Sequence, residues 1–135
     1  MVQISIDYTG KLHCSAIHGP SGKVLETDAP LDNMGKGESF SPTDLVATAL
    51  GTCIATTMAI VAERHGVELR GLTVQVQKEM ADAPRRVGRL TTEVHIPLPT
   101  NHPQRELLEK TALGCPVHRS LSADMERPTK FFWEG

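Results

Sequence analysis

Residues 45–62 read LVATALGTCIATTMAIVA, 18 positions without a charge. The reading of this run decides the fold, because it is either a membrane span or the central helix of a packed domain. A spanning helix needs about 20 predominantly apolar residues, and this run carries four threonines and a glycine. The segments on either side alternate between apolar and polar residues, as strands do. The run is therefore read as a buried central helix, and no membrane is expected as a partner. Its start is written in SPTD: Ser41 is a good N-cap, Pro42 suits the first helical position, and Asp44 completes a capping-box-like pattern near the positive helix end. Gly66 supplies a stop after His65. Such a helix is about 33 Å long. Being apolar on nearly every side, it is expected to be wrapped by protein.

Upstream, Val2, Ile4, Ile6 and Tyr8 alternate with polar residues, and Leu12, Cys14 and Ala16 continue the alternation after the turn at TGK. HGPSGK is a second turn signal before VLETDA. A three-stranded meander is the simplest arrangement. Residues 29–42 form a loop rich in Gly and Pro. Downstream, Leu72, Val74 and Val76 predict a strand, ADAPRR breaks it, and Leu90, Thr92, Val94 and Ile96 predict another. HPQRELLEKTA predicts a short amphipathic helix with Leu107 and Leu108 on its apolar side, Pro116 opens a second short helix reaching about Asp124, and TKFFW ends the pattern as a strand. Strands and helices come in groups, which favours an α+β fold with further antiparallel strands over a parallel α/β sheet. The length fits a single domain, residues 1–135.

Composition narrows the function. Net charge is −2 and the basic residues are dispersed, so no nucleic-acid partner is expected. MVQISIDYTG lacks a charged segment followed by an apolar one, so no signal peptide is expected. Three cysteines, an odd number, fit free thiols in a reducing cytoplasm better than a disulfide framework. No P-loop, dinucleotide fingerprint or G-x-S-x-G is present, and no cofactor is expected.

The thiols carry the candidate chemistry. Cys115 falls between the helix breaker Gly114 and Pro116, at or near an N-cap, where orphan N–H groups favour a thiolate. Arg119 could add positive charge. The competing reading is a small buried hydrophobe between two helices. Cys53 lies mid-helix, beyond the reach of helix-end effects. Alone it reads as core, and it becomes a nucleophile only if another group supplies a cation or a base. Cys14 shares the parity of Leu12 and Ala16 and reads as core. Zinc bound by Cys53, Cys115 and His118 is a further reading, but no second closely spaced ligand pair supports it, and no metal is expected.

GKGESFSPTDLVATALGTC at 35–53, followed by ALGCPVHRSL at 112–121, resembles the OsmC/Ohr family of osmotically inducible and organic hydroperoxide resistance proteins. The order of elements matches along nearly the whole chain. The resemblance implies an intertwined α+β homodimer with two sites at the interface. It implies a peroxidatic role for Cys53 and a resolving role for Cys115, with a hydroperoxide as substrate and a dithiol reductant, lipoyl-type in one branch. The family activates its mid-helix thiol with an N-terminal arginine held by a glutamate just after the helix-start proline. Here no arginine precedes Arg64, and Thr43 follows the proline. Lys36, paired with Glu38 or Asp44, is the candidate substitute, although lysine lacks the planar fork of arginine. The bland readings are a solvated loop for Lys36 and Glu38 and helix capping for Asp44. The missing arginine also keeps a non-catalytic stress or small-ligand-binding dimer open as the alternative function.

Overall fold

The computed structural model describes all 135 residues, Met1–Gly135, and the chain divides into two compact units, Met1–Val46 and Ala47–Gly135. The first unit is the meander expected from the alternating pattern. Strands β1 (Ile4–Gly10), β2 (His13–His18) and β3 (Val24–Asp28) pair antiparallel in the order β1-β2-β3. The β1–β2 turn places Gly10, Lys11 and Leu12 at positive φ, so Leu12 belongs to the turn rather than to the strand. A 3-10 turn at Leu31–Asn33 interrupts the loop after β3. The loop returns along β3, where the Asp28 N–H donates to the Phe40 carbonyl at 3.1 Å and the Ser39 hydroxyl to the Glu26 carbonyl at 3.0 Å.

Helix α1 (Pro42–Arg64) begins and ends where its signals lie. The capping box is reciprocal: the Ser41 hydroxyl accepts from the Asp44 N–H at 3.0 Å, and the Asp44 carboxylate accepts from the Ser41 N–H at 2.9 Å. Gly66 takes φ +69 and closes the C-terminal end. The helix is long and apolar enough to cross a membrane by length and composition. Within the chain, however, it buries one stripe only: Ala47, Leu50, Gly51, Ile54, Met58 and Ala62. These positions recur every three or four residues, the period of a single helical face. The expectation of full wrapping is corrected accordingly, and Ile60 on another face stays 47% exposed. Leu50, Ile54 and Met58 are essentially inaccessible, each burial contributing about 1.5–3 kcal/mol.

The second unit holds the sheet β4 (Thr73–Ala81), β5 (Arg86–Ile96) and β6 (Thr129–Trp133) in that order. The two strands expected from Leu72–Val76 and Leu90–Ile96 are longer, because ADAPRR is a hairpin turn that joins β4 to β5 antiparallel. Strand β6 runs parallel to β5, so the sheet is mixed. The parallel return is possible because α2 (Arg105–Leu113) and α3 (Pro116–Ser120) make the long crossover that parallel pairing needs. Central strand β5 buries Val87, Leu90, Thr92, Val94 and Ile96. At Gly51 a Cβ would lie 3.0 Å from Val76 Cγ2 and 3.5 Å from Val74 Cγ1, so the absent side chain lets α1 approach β4 closely. On α2, Leu108 and Ala112 are buried while Leu107 is 37% exposed, so the apolar side is narrower than the Leu107–Leu108 pair suggests. Helix α3 ends at Ser120 rather than near Asp124, because Leu121 is already extended at ψ 154.

Candidate functional site

Helix α3 is short, and a thiol stands at its N-terminus. Cys115 is the N-cap and Pro116 the first helical residue, as their order predicts. Proline has no N–H, so the first orphan donors are those of Val117 and His118. They act on two sulfurs. The His118 N–H donates to Cys115 Sγ at 3.4 Å, while the Val117 N–H favours the thiolate form of Cys53, half-buried on α1. Thr57 lies one turn beyond Cys53, and its hydroxyl is 3.7 Å from Cys53 Sγ. Cys115 neighbours Cys53, and each thiol acts on the ionisation of the other.

The electrostatics separate the two thiols. Burial pushes Cys53 upward, but the Val117 N–H, the Thr57 hydroxyl and the Cys115 thiol together outweigh it and hold Cys53 below its ordinary value. Cys115 moves the other way. It is fully buried, and desolvation, reinforced by a neighbouring Cys53 that takes the charge first, raises it despite the His118 N–H. The expectation that Cys115 ionises more easily is thus reversed. Its N-cap position is real, but the cost of burying a charge exceeds what one short helix end returns. Arg119 is not among the groups that act on Cys115, and its Nε donates to the Gly114 carbonyl at 2.8 Å at the end of α2. Arg127 braces α3 from outside, donating to the His118 carbonyl at 2.7 Å.

The candidate supporting residues have other partners. The Glu38 N–H donates to the Asp28 carboxylate at 3.0 Å, and the side chains of Lys36 and Glu38 are exposed. Asp44 is engaged in the capping box with Ser41. None of the groups that lower Cys53 is a cation. Thr57 and Val117 are the partners that sequence reasoning missed. The i, i+4 spacing of Cys53 and Thr57 was a usable signal, whereas Val117 acts through its backbone and leaves no trace in residue type.

Cys53, Cys115 and His118 do not form the three-ligand convergence of a metal centre. The ligand atoms that lie within 4.8 Å of one another belong to His13, Asp28 and Glu38. An open groove of about 390 Å³ runs beside α1, lined by Thr56, Glu63, Arg70 and Leu72 among others, and neither Cys53 nor Cys115 borders it.

The signature of the OsmC-like protein family matches residues 35–126, from the Gly-rich loop through both cysteine motifs. The chain belongs to the OsmC-like family. A structure from Psychrobacter arcticus, described as an osmotic stress induced and detoxification response protein, is 38% identical, with a TM-score of 0.91 over 97% of this chain and 96% of that one. An OsmC organic hydroperoxide resistance protein from Legionella pneumophila, 17% identical, aligns over 98% of this chain and 96% of its own with a TM-score of 0.73. Another, from Elizabethkingia anophelis, is 15% identical, with a TM-score of 0.77 over 98% and 95% of the two chains. At such identities these two establish the shared OsmC-like fold alone. No curated protein matches the chain.

Proposed function

We propose that this OsmC-like protein is a cysteine-based hydroperoxide reductase of oxidative-stress defence, with Cys53 as peroxidatic and Cys115 as resolving thiol. One observation carries the reading: two adjacent thiols of opposite electrostatic bias, Cys53 held down and Cys115 pushed up. The Cys53 thiolate attacks the distal oxygen of a hydroperoxide. The O–O bond breaks, the alcohol leaves after taking a proton, and Cys53 becomes a sulfenic acid. The Cys115 thiol condenses with it, releasing water and forming the disulfide. A dithiol reductant, of the lipoyl type in its chemistry, is oxidised to its own disulfide as it restores both thiols. The 38% identical relative described as an osmotic stress induced and detoxification response protein supports a role in defence.

The two units act together as one OsmC-like domain, and two chains form a homodimer with sites at the interface. Apolar side chains left exposed by a single chain support the dimer: Ile4, Ile6, Tyr8 and Val24 on the meander and Ile60 on α1. The three free cysteines support a cytoplasmic location. Steady-state consumption of an organic hydroperoxide in the presence of a dithiol tests the reading. Cys53→Ser abolishes it, and an unchanged rate refutes the assignment. A non-catalytic small-ligand-binding dimer is the second reading, favoured by the absence of a cation among the groups that lower Cys53. Under that reading, wild-type protein consumes no hydroperoxide.

A further inference from the structure

The thiol site makes no use of the corner where the meander meets the returning loop. His13 opens β2, Asp28 ends β3, and Glu38 lies in the loop before α1. Far apart in sequence, the three meet because β2 and β3 pair His13 directly with Asp28, and the loop returns Glu38 to the same point. His13 Nε2 is 3.5 Å from Asp28 Oδ1 and 3.7 Å from Glu38 Oε1, and all three ligand atoms lie within 4.8 Å of one another. Ligands at about 2.1 Å from a tetrahedral ion stand about 3.4 Å apart, close to these separations.

A second observation separates this corner from an ordinary cluster of surface charges. The Asp28 side chain is wholly buried. Its Oδ2 accepts the Glu38 N–H at 3.0 Å, but its Oδ1 has no hydrogen-bond partner and faces His13 Nε2. A buried carboxylate oxygen without a donor costs free energy, and a bound cation would remove that cost. One imidazole and two carboxylates form a nitrogen–oxygen donor set suited to zinc or a similar first-row divalent ion. Magnesium and calcium take oxygen ligands.

We propose that His13, Asp28 and Glu38 bind one divalent cation of the zinc class, with water in the remaining position. The ion fastens the loop that leads into α1 onto the ends of β2 and β3. This site is independent of the thiol chemistry, and its test is made in Cys53→Ser/Cys115→Ser protein so that those sulfurs cannot serve as ligands.

Zinc is titrated into metal-stripped protein against a chromophoric chelator. One zinc per chain is expected, with affinity reduced roughly tenfold or more by either His13→Gln or Glu38→Gln. Both side chains are partly or largely exposed, so these variants fold. Asp28→Asn would also remove a structural acceptor, so the test rests on the other two variants. Zinc raises the melting temperature of the double-serine protein and not that of its His13→Gln derivative. Cobalt(II) in the same site gives d–d absorption without thiolate charge transfer, which also excludes Cys14. Absence of zinc uptake, uptake unchanged in both variants, or a thiolate band overturns the assignment.

Discussion

Cys115 caps α3, its Sγ accepting the His118 N–H at 3.4 Å, and it neighbours Cys53 closely enough that each thiol shifts the ionisation of the other. The effect is unequal. Cys53 is held below its ordinary value, and burial beside it pushes Cys115 up. Alkylation followed by mass spectrometry across a pH series therefore gives Cys53 a midpoint below that of free cysteine and Cys115 a midpoint above it. In Cys115→Ala that neighbour is gone, and the Cys53 midpoint moves upward.

Thr57 extends the same logic to a side chain. Thr57→Val keeps the shape and removes the hydroxyl, so the Cys53 midpoint rises and its alkylation at neutral pH slows roughly threefold to tenfold, the reach of one weak hydrogen bond to a charged sulfur. Thr57→Ser restores the rate. Thiolate absorbance during a pH titration checks both variants.

Gly51 sets how closely α1 meets β4. Replacing a helical glycine by alanine normally gains about 1 kcal/mol in propensity. At Gly51 the new Cβ would sit 3.0 Å from Val76 Cγ2, so displacing Val76 offsets the gain. A larger side chain cannot be absorbed. Gly51→Leu is expected to destabilise the protein by about 1–3 kcal/mol through overpacking, measured by denaturant unfolding.

Ser41 and Asp44 form a cap, and their substitution reads out as stability. Ser41→Ala is expected to cost about 0.5–2 kcal/mol. The alkylation midpoint of Cys53 remains unchanged in this variant, because none of the groups acting on that thiol belongs to the cap.

The elements whose signals are local were legible in the sequence. The Ser41–Asp44 cap, the Gly66 stop, the meander and the Cys-Pro helix start all follow from local rules that tertiary contacts had no reason to override. What the sequence hid depends on burial and on backbone. Cys115 looked like the readier thiolate because its N-cap position is visible in the order Cys-Pro, whereas its complete burial is not. The Val117 N–H has no signature in residue type. The convergence of His13, Asp28 and Glu38 depends on strand register and on the path of a loop, neither of which is written in spacing. The parallel return of β6 was hidden for a similar reason, since the composition of TKFFW marks a strand and not its direction.

The central claim is that Cys53 and Cys115 act as one redox pair. Its most direct test is non-reducing peptide mapping after one equivalent of an organic hydroperoxide is added to the fully reduced protein. A single new linkage is predicted, Cys53 to Cys115 within one chain, which Cys115→Ser replaces with a sulfenic acid on Cys53 that dimedone traps. Oxidised protein in which Cys53 carries no modification and no Cys53–Cys115 linkage would contradict the claim.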